Sequence, residues 1–159
     1  MHLSAGDLLR AERNSGSEDA DLINEYIREG KIVPVQITCK LIEKAMQDNG
    51  WDETRFLIDG FPRSKDNLDG WEETMGDKAD VEHLLFLNTS EEIMTERILK
   101  RAETSGRIDD NEDAIRKRLQ TYNEATMPII ELFRERGKVV EVDASKAVEE
   151  VYADIVSAI

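Results

Sequence analysis

Three short apolar runs, residues 56–59, 84–88 and 139–143, constrain the fold of this chain most. Each is short and mostly apolar, the pattern of a strand buried on both faces. Helical patterns separate them. "SEDADLINEYIREG" opens on Ser17 as an N-cap and stops at Gly30. "PVQITCKLIEKAMQDNG" has Pro34 at a helix start and Gly50 beyond its end. "TSEEIMTERILKRA" caps at Thr89 or Ser90, with Glu91 and Glu92 in the first turn. A long helix is expected over 112–136 with a kink at Pro128, and a last one over 147–159. Strands alternating with helices predict an α/β fold with a parallel sheet. No repeat, low-complexity tract or Pro/Gly/Ser-rich linker divides the 159 residues, so one domain with a sizeable core is expected.

Composition narrows the partners. A net charge of −14 argues against a nucleic-acid surface and against an acidic membrane. It leaves room for a small phosphate ligand, because a local arginine cluster can sit inside an acidic protein. "MHLSAGDLLR" carries no apolar signal-peptide region, and no segment approaches the ~18 apolar residues of a membrane span, so secretion and membrane insertion are not expected. Cys39 is the single cysteine, which excludes an intrachain disulfide and suits a reducing compartment. It reads as a small core residue on a helix.

Ligands of open α/β sheets bind beyond the carboxyl ends of the strands. In "LIDGFPR", Asp59 ends a strand and could face a hydrated Mg²⁺. Gly60 lets backbone approach a ligand, and Arg63 could grip a phosphate with its fork. Read alone, the same string is equally an ordinary β-turn with an exposed arginine. In "LSAGDLLR", Ser4 and Gly6 precede a helix whose first turns carry Arg10; the plainer reading is a cap with a solvated arginine. Arg97 and Arg101 share one helix face, before "TSGRIDDN" breaks the helix. Arg107 then lies in a polar segment between helices, as a mobile lid would. Arg116 and Arg118 are two apart and point to different sides of a helix, so only one can face the same ligand as Arg107. The acidic run Asp109, Asp110, Glu112 and Asp113 matches no EF-hand loop and reads as a solvated face or lid edge. His2 and His83 suggest no relay, and no Cys/His spacing suits zinc. Arginines spread over several elements are what transfer between two phosphate groups needs, since charge must be neutralised from several sides.

In this order, "HLSAGDLLR", "EGKIVP", "LIDGFPR", "DNLDGW", "TSGRIDDN" and "DASK" resemble the nucleoside monophosphate kinases, specifically their UMP-CMP kinase branch, over essentially the whole chain. The resemblance implies a three-layer, P-loop NTPase-like parallel sheet flanked by helices, and transfer of a phosphoryl group from ATP to UMP, CMP or dCMP. It implies that Arg10, Gly60, Phe61, Pro62 and Arg63 hold the monophosphate. Lys31, Ile32 and Val33 would line the nucleoside through their backbone. Arg101 would reach the ATP side, Arg107 and Arg118 the phosphates in flight, and Lys146 the adenine. Mg²⁺ would arrive with ATP, with Asp59 touching it at most through water. Residues 3–33 would be the monophosphate-binding region and 100–110 the lid. Similar adenylate kinases place glutamine four residues after the "GFPR" arginine; here Asn67 stands there, a shorter amide that suits a pyrimidine. Nucleotides are the implied partners, without nucleic acid or membrane, in a usually monomeric, cytoplasmic and partly nuclear family.

One departure is large: the chain has no G-x-x-x-x-G-K-[ST]. Its similar kinases carry that loop on a first strand and helix before "HLSAGDLLR", a unit of ~30 residues. The expectation is therefore a chain lacking the first strand, P-loop and first helix, inactive by itself because the loop's N–H groups and lysine stabilise the transferring charge. Two other functions stay open at this point: a non-catalytic nucleotide-binding or interaction relic, and an adenylate kinase.

Overall fold

The computed structural model describes Met1–Ile159 throughout. The chain forms two compact units, Met1–Asp80 and Val81–Ile159.

The first unit contains strands β1 (His2–Ser4) and β2 (Leu57–Asp59) and helices α1 (Ala5–Arg13), α2 (Ala20–Glu29), α3 (Val35–Asp48) and α4 (Lys65–Met75). β1 and β2 are parallel, with Leu3 opposite Ile58 and Ser4 opposite Asp59. Ser4 ends β1 and caps α1, its Oγ accepting from the Asp7 N–H at 3.3 Å. Gly6 therefore lies inside α1, and Arg10 falls in its last turn, where the sequence reading had placed both earlier. α2 starts from Asp19; Ser17, the expected cap, lies before it. It ends as expected on Gly30, whose φ of 67° releases the chain into the extended 31–34 segment. α3 and α4 pack closely because residue 70 is glycine: a Cβ there would sit 2.5 Å from Val35 Cγ2. Ile23, Cys39, Ile42, Leu68, Trp71 and Met75 form this unit's core, so Cys39 is the small buried helix residue expected of it.

The second unit contains β3 (Leu84–Asn88) and β4 (Val139–Asp143), parallel and in register from Leu84–Val139 to Asn88–Asp143. Helices α5 (Glu91–Ser105), α6 (Glu112–Thr121), α7 (Met127–Glu135) and α8 (Val148–Ala158) complete it. Ser90 caps α5 by accepting from the Ile93 N–H. α5 runs through Thr104 and Ser105, which were expected to break it, and stops at Gly106, φ 62°. The single helix expected over 112–136 is instead two, joined by a π-helical turn at Tyr122–Thr126. Pro128 supplies the reason. It has no N–H for the preceding turn and its ring crowds that carbonyl, so the backbone widens just before it. Phe86, Ile115, Ile129, Ile130, Phe133 and Val142 form the core.

The mixed, parallel α/β architecture is the expected one, with a strand more than the sequence reading found. Burial of the strands on both faces is not observed: Leu57 is 52% exposed and Leu87 47%. The four strands form two separate two-stranded sheets, so each strand is an edge strand.

Candidate functional site

In the first unit, β2 delivers Asp59 to its carboxyl end, and the carboxylate is exposed, 3.9 Å from His2 Nε2. Gly60 follows with φ 74°, and the Phe61–Pro62 peptide is cis. Arg63 folds back over this turn, its Nε donating to the Gly60 carbonyl at 2.6 Å. A Cβ on residue 60 would lie 2.6 Å from the same guanidinium, so glycine is required by both dihedral and space. The Arg63 N–H donates to Asn67 Oδ1 at 3.2 Å, and the Asn67 N–H to Ser64 Oγ, the cap of α4. Asn67 is only 3% exposed. With Oδ1 engaged by backbone, its Nδ2 is the end left to address a ligand. The Phe61 and Trp71 rings pack against each other, centroids 5.7 Å apart. Arg10 is held by Asp7 one turn earlier, and its guanidinium lies over Gly6. The Lys31 ammonium pairs with Glu29, while Ile32 is half-buried and Val33 buried. This unit therefore brings Asp59, Gly60, Phe61, Pro62, Arg63 and Asn67 into one turn-and-helix-start, with Arg10 on α1.

In the second unit, Arg101 grips Asp110 with both sides of its fork, Nε at 2.8 Å from Oδ2 and Nη2 at 2.6 Å from Oδ1. Ser105 Oγ donates to the same carboxylate at 3.1 Å. Arg118 Nη1 lies 3.1 Å from Asp109 Oδ2 and 3.5 Å from Asp110 Oδ1. The Asp110 side chain has no exposed surface. Asp109 is buried too, with Oδ1 lacking a hydrogen bond. These two carboxylates are thus not the solvated lid edge the acidic run suggested. Two arginines compensate for their burial, which no charge pattern along the chain reveals. Glu112 and Asp113, by contrast, are exposed in the first turn of α6. Arg116 points away from this cluster toward Asp113, as expected from its spacing to Arg118. Arg107 is half-buried on the turn after Gly106, its N–H donating to Ser105 Oγ. Lys146 Nζ donates to Asp154 Oδ2 at 2.7 Å.

The Arg101 hydrogen bonds hold the Asp110 carboxyl below the usual aspartate range, against the opposite pull of burial. A depressed folded-state pKa contributes stability above the ordinary carboxylate range, and loses it as pH falls through the folded value. Titration of the Asp110 carboxyl carbon by NMR should show a midpoint below that of ordinary aspartate. Arg101→Ala should raise it, because burial then acts with less opposition. An unchanged midpoint in Arg101→Ala would show that the pair does not set this carboxyl.

No group of three or more His, Cys, Asp or Glu side chains is arranged to hold a metal ion. Asp59, a single exposed carboxylate, fits a water-mediated contact to Mg²⁺ carried by a nucleotide, and not a protein-held ion. The 550 Å³ hollow lined by Glu91, Glu92, Thr95, Glu96, Leu99 and Leu119 contains none of the arginines, and its carboxylates repel phosphate.

The first unit thus carries a strand-end turn with a buried amide, and the second unit carries paired arginines on buried carboxylates. The chain belongs to the adenylate kinase family, whose profile matches residues 1–138. It is 55% identical over 158 residues to the UMP-CMP kinase of Danio rerio, covering 97% of this chain and 81% of that protein. To the Homo sapiens UMP-CMP kinase it is 52% identical over 159 residues, covering 98% and 81%. It is thus a member of a nucleoside monophosphate kinase enzyme family.

Proposed function

We propose that this chain serves phosphoryl transfer from ATP to a pyrimidine nucleoside monophosphate, UMP or CMP, with dCMP as a further acceptor. The observation that carries the reading is Asn67. It is buried beside Arg63, with its oxygen engaged and its amide N–H₂ the end available to a base carbonyl. The names of the relatives support the same acceptor class. Arg63 and Arg10 hold the acceptor phosphate, and the backbone of Lys31, Ile32 and Val33 borders the nucleoside. Arg101 lies on the ATP side, Arg107 and Arg118 neutralise charge on the transferred group, and Lys146 lies on the adenine side. An acceptor phosphate oxygen bonds to the γ-phosphorus of ATP as the bond to the β,γ-bridging oxygen breaks, giving ADP and a nucleoside diphosphate. Mg²⁺ supplies neutralisation of the phosphate oxygens when bound, and Asp59 orients its water shell.

The residues described supply arginines but no glycine-rich loop with its lysine, so catalysis requires such a loop in the same polypeptide. The reaction is therefore tested on the chain preceded by a P-loop strand–loop–helix unit. This joined protein should phosphorylate CMP and UMP well ahead of AMP. AMP as the best acceptor would overturn the pyrimidine assignment in favour of an adenylate kinase.

A further inference from the structure

α3 and α4 meet over two pairs of residues, one helical turn apart on each helix. Gly70 faces Val35: a Cβ at position 70 would lie 2.5 Å from Val35 Cγ2 and 2.8 Å from Cγ1. Four residues further on both helices, Thr74 meets Cys39. The two helices therefore run in the same direction, and the bare backbone of Gly70 sets how near they come. The Gly70 carbonyl accepts from Thr74 Oγ1 at 2.6 Å, which ties the two contact positions of α4 together. Val35 has little freedom to yield. It is β-branched and is the first residue of α3, where one rotamer is strongly preferred. Pro34, φ −49°, joins it stiffly to the buried Val33. On the other side, the buried Asn67 precedes Gly70 by three residues on the same face of α4. The spacing at Gly70 thus fixes the spacing between the 31–33 backbone and the Asn67 amide.

We propose that Gly70 is a positioning residue for the choice of acceptor base: its contact with Val35 holds the slot between residues 31–33 and Asn67 at the width of a single-ring base. The inference rests on the reading that these residues border the acceptor base. Ordinary carbon–carbon contact is ~3.5–4.0 Å, so a methyl group on residue 70 must part α3 and α4 by about 1 Å. A pyrimidine then meets one wall of the slot or the other and no longer both. A two-ring purine, which spans further, loses less.

The test uses the joined protein. Gly70→Ala should raise the KM for CMP at least about tenfold, within what a ~1 Å misplacement costs. The ratio of kcat/KM for CMP to that for AMP should fall at least about tenfold, while the KM for ATP stays within about twofold. Adding Val35→Ala to Gly70→Ala removes both crowding carbons and should return the CMP-to-AMP ratio to within about threefold of the unsubstituted protein. Val35→Ile adds a carbon to the same contact from the α3 side and should lower the ratio by a smaller factor; it decides the matter if Gly70→Ala does not fold. A lowered Tm with an unchanged ratio would overturn the inference and leave the proposed function standing. So would a double variant that regains its Tm but not its preference for CMP. If the unsubstituted joined protein transfers no phosphate to CMP or UMP, the proposed function fails and takes this inference with it.

Discussion

In the joined protein, Arg63→Ala should lower turnover with CMP by about 100-fold or more, since one preorganised charge-stabilising group typically contributes ~3 kcal/mol or more. The argument starts from position. Arg63 lies four residues past the end of β2 and is drawn over Gly60 by its own Nε, so the guanidinium is restricted before any ligand arrives. Such restriction reduces the entropy lost when a phosphate is gripped. Its backbone N–H simultaneously fixes Asn67, so in the proposed function side chain and backbone of one residue would address the phosphate and base ends of the same acceptor. Arg63→Lys should recover little, because an ammonium offers no fork. Arg63→Ala leaves the backbone bond to Asn67 intact, so the preference for CMP over AMP should persist in the residual activity. A loss under about threefold would mean that Arg63 only closes the turn. A full loss of base preference would mean that its side chain, and not Asn67, selects the base.

Much of the fold was legible because it is carried by local signals. Leu84–Asn88 is an uninterrupted apolar run ending in a polar residue, Val139–Asp143 is valine-rich with Glu141 at its centre, and both strands occur with those bounds. β1 was missed because only Leu3 is apolar among its three residues; its strand character comes from pairing with β2, more than fifty residues away. Pro128 was visible as a disturbance, but whether a proline kinks a helix or opens a π-turn depends on the packing of both flanks. The arginines could be picked out one by one. What each one holds could not, because the Arg101–Asp110 fork and the Arg118–Asp109 pair depend on distances between side chains across the fold. Burial of Asp109 and Asp110 ran against the expectation for two adjacent carboxylates, and only the two arginines facing them make it tolerable.

The polypeptide Met1–Ile159 expressed alone should show no phosphoryl transfer and should unfold without a sharp cooperative transition. The chemical part follows from the residues: nothing in Met1–Ile159 cradles the donor phosphates through backbone N–H groups in a glycine-rich loop. Arginines that neutralise a phosphate in flight act only once ATP is held in register, and a ~1 Å error costs ~100-fold. The structural part follows from the sheets. Each has two parallel strands, and such pairs are marginal unless other elements cover them. Leu57 on β2 and Leu87 on β3 stay exposed, as do Val148, Tyr152 and Val156 at four-residue spacing along α8. Apolar surface of this kind beside open strand edges favours association between chains. Net stability of a domain is only ~5–15 kcal/mol, so unburied strand faces are a large fraction of it. Thermal unfolding, dye binding to apolar surface and a CMP-dependent ADP assay on the purified chain test both parts. A soluble monomer with one sharp transition would defeat the structural part. Turnover that co-purifies with the chain and disappears in Arg63→Ala would defeat the chemical part, because contaminating host kinase would be indifferent to that substitution.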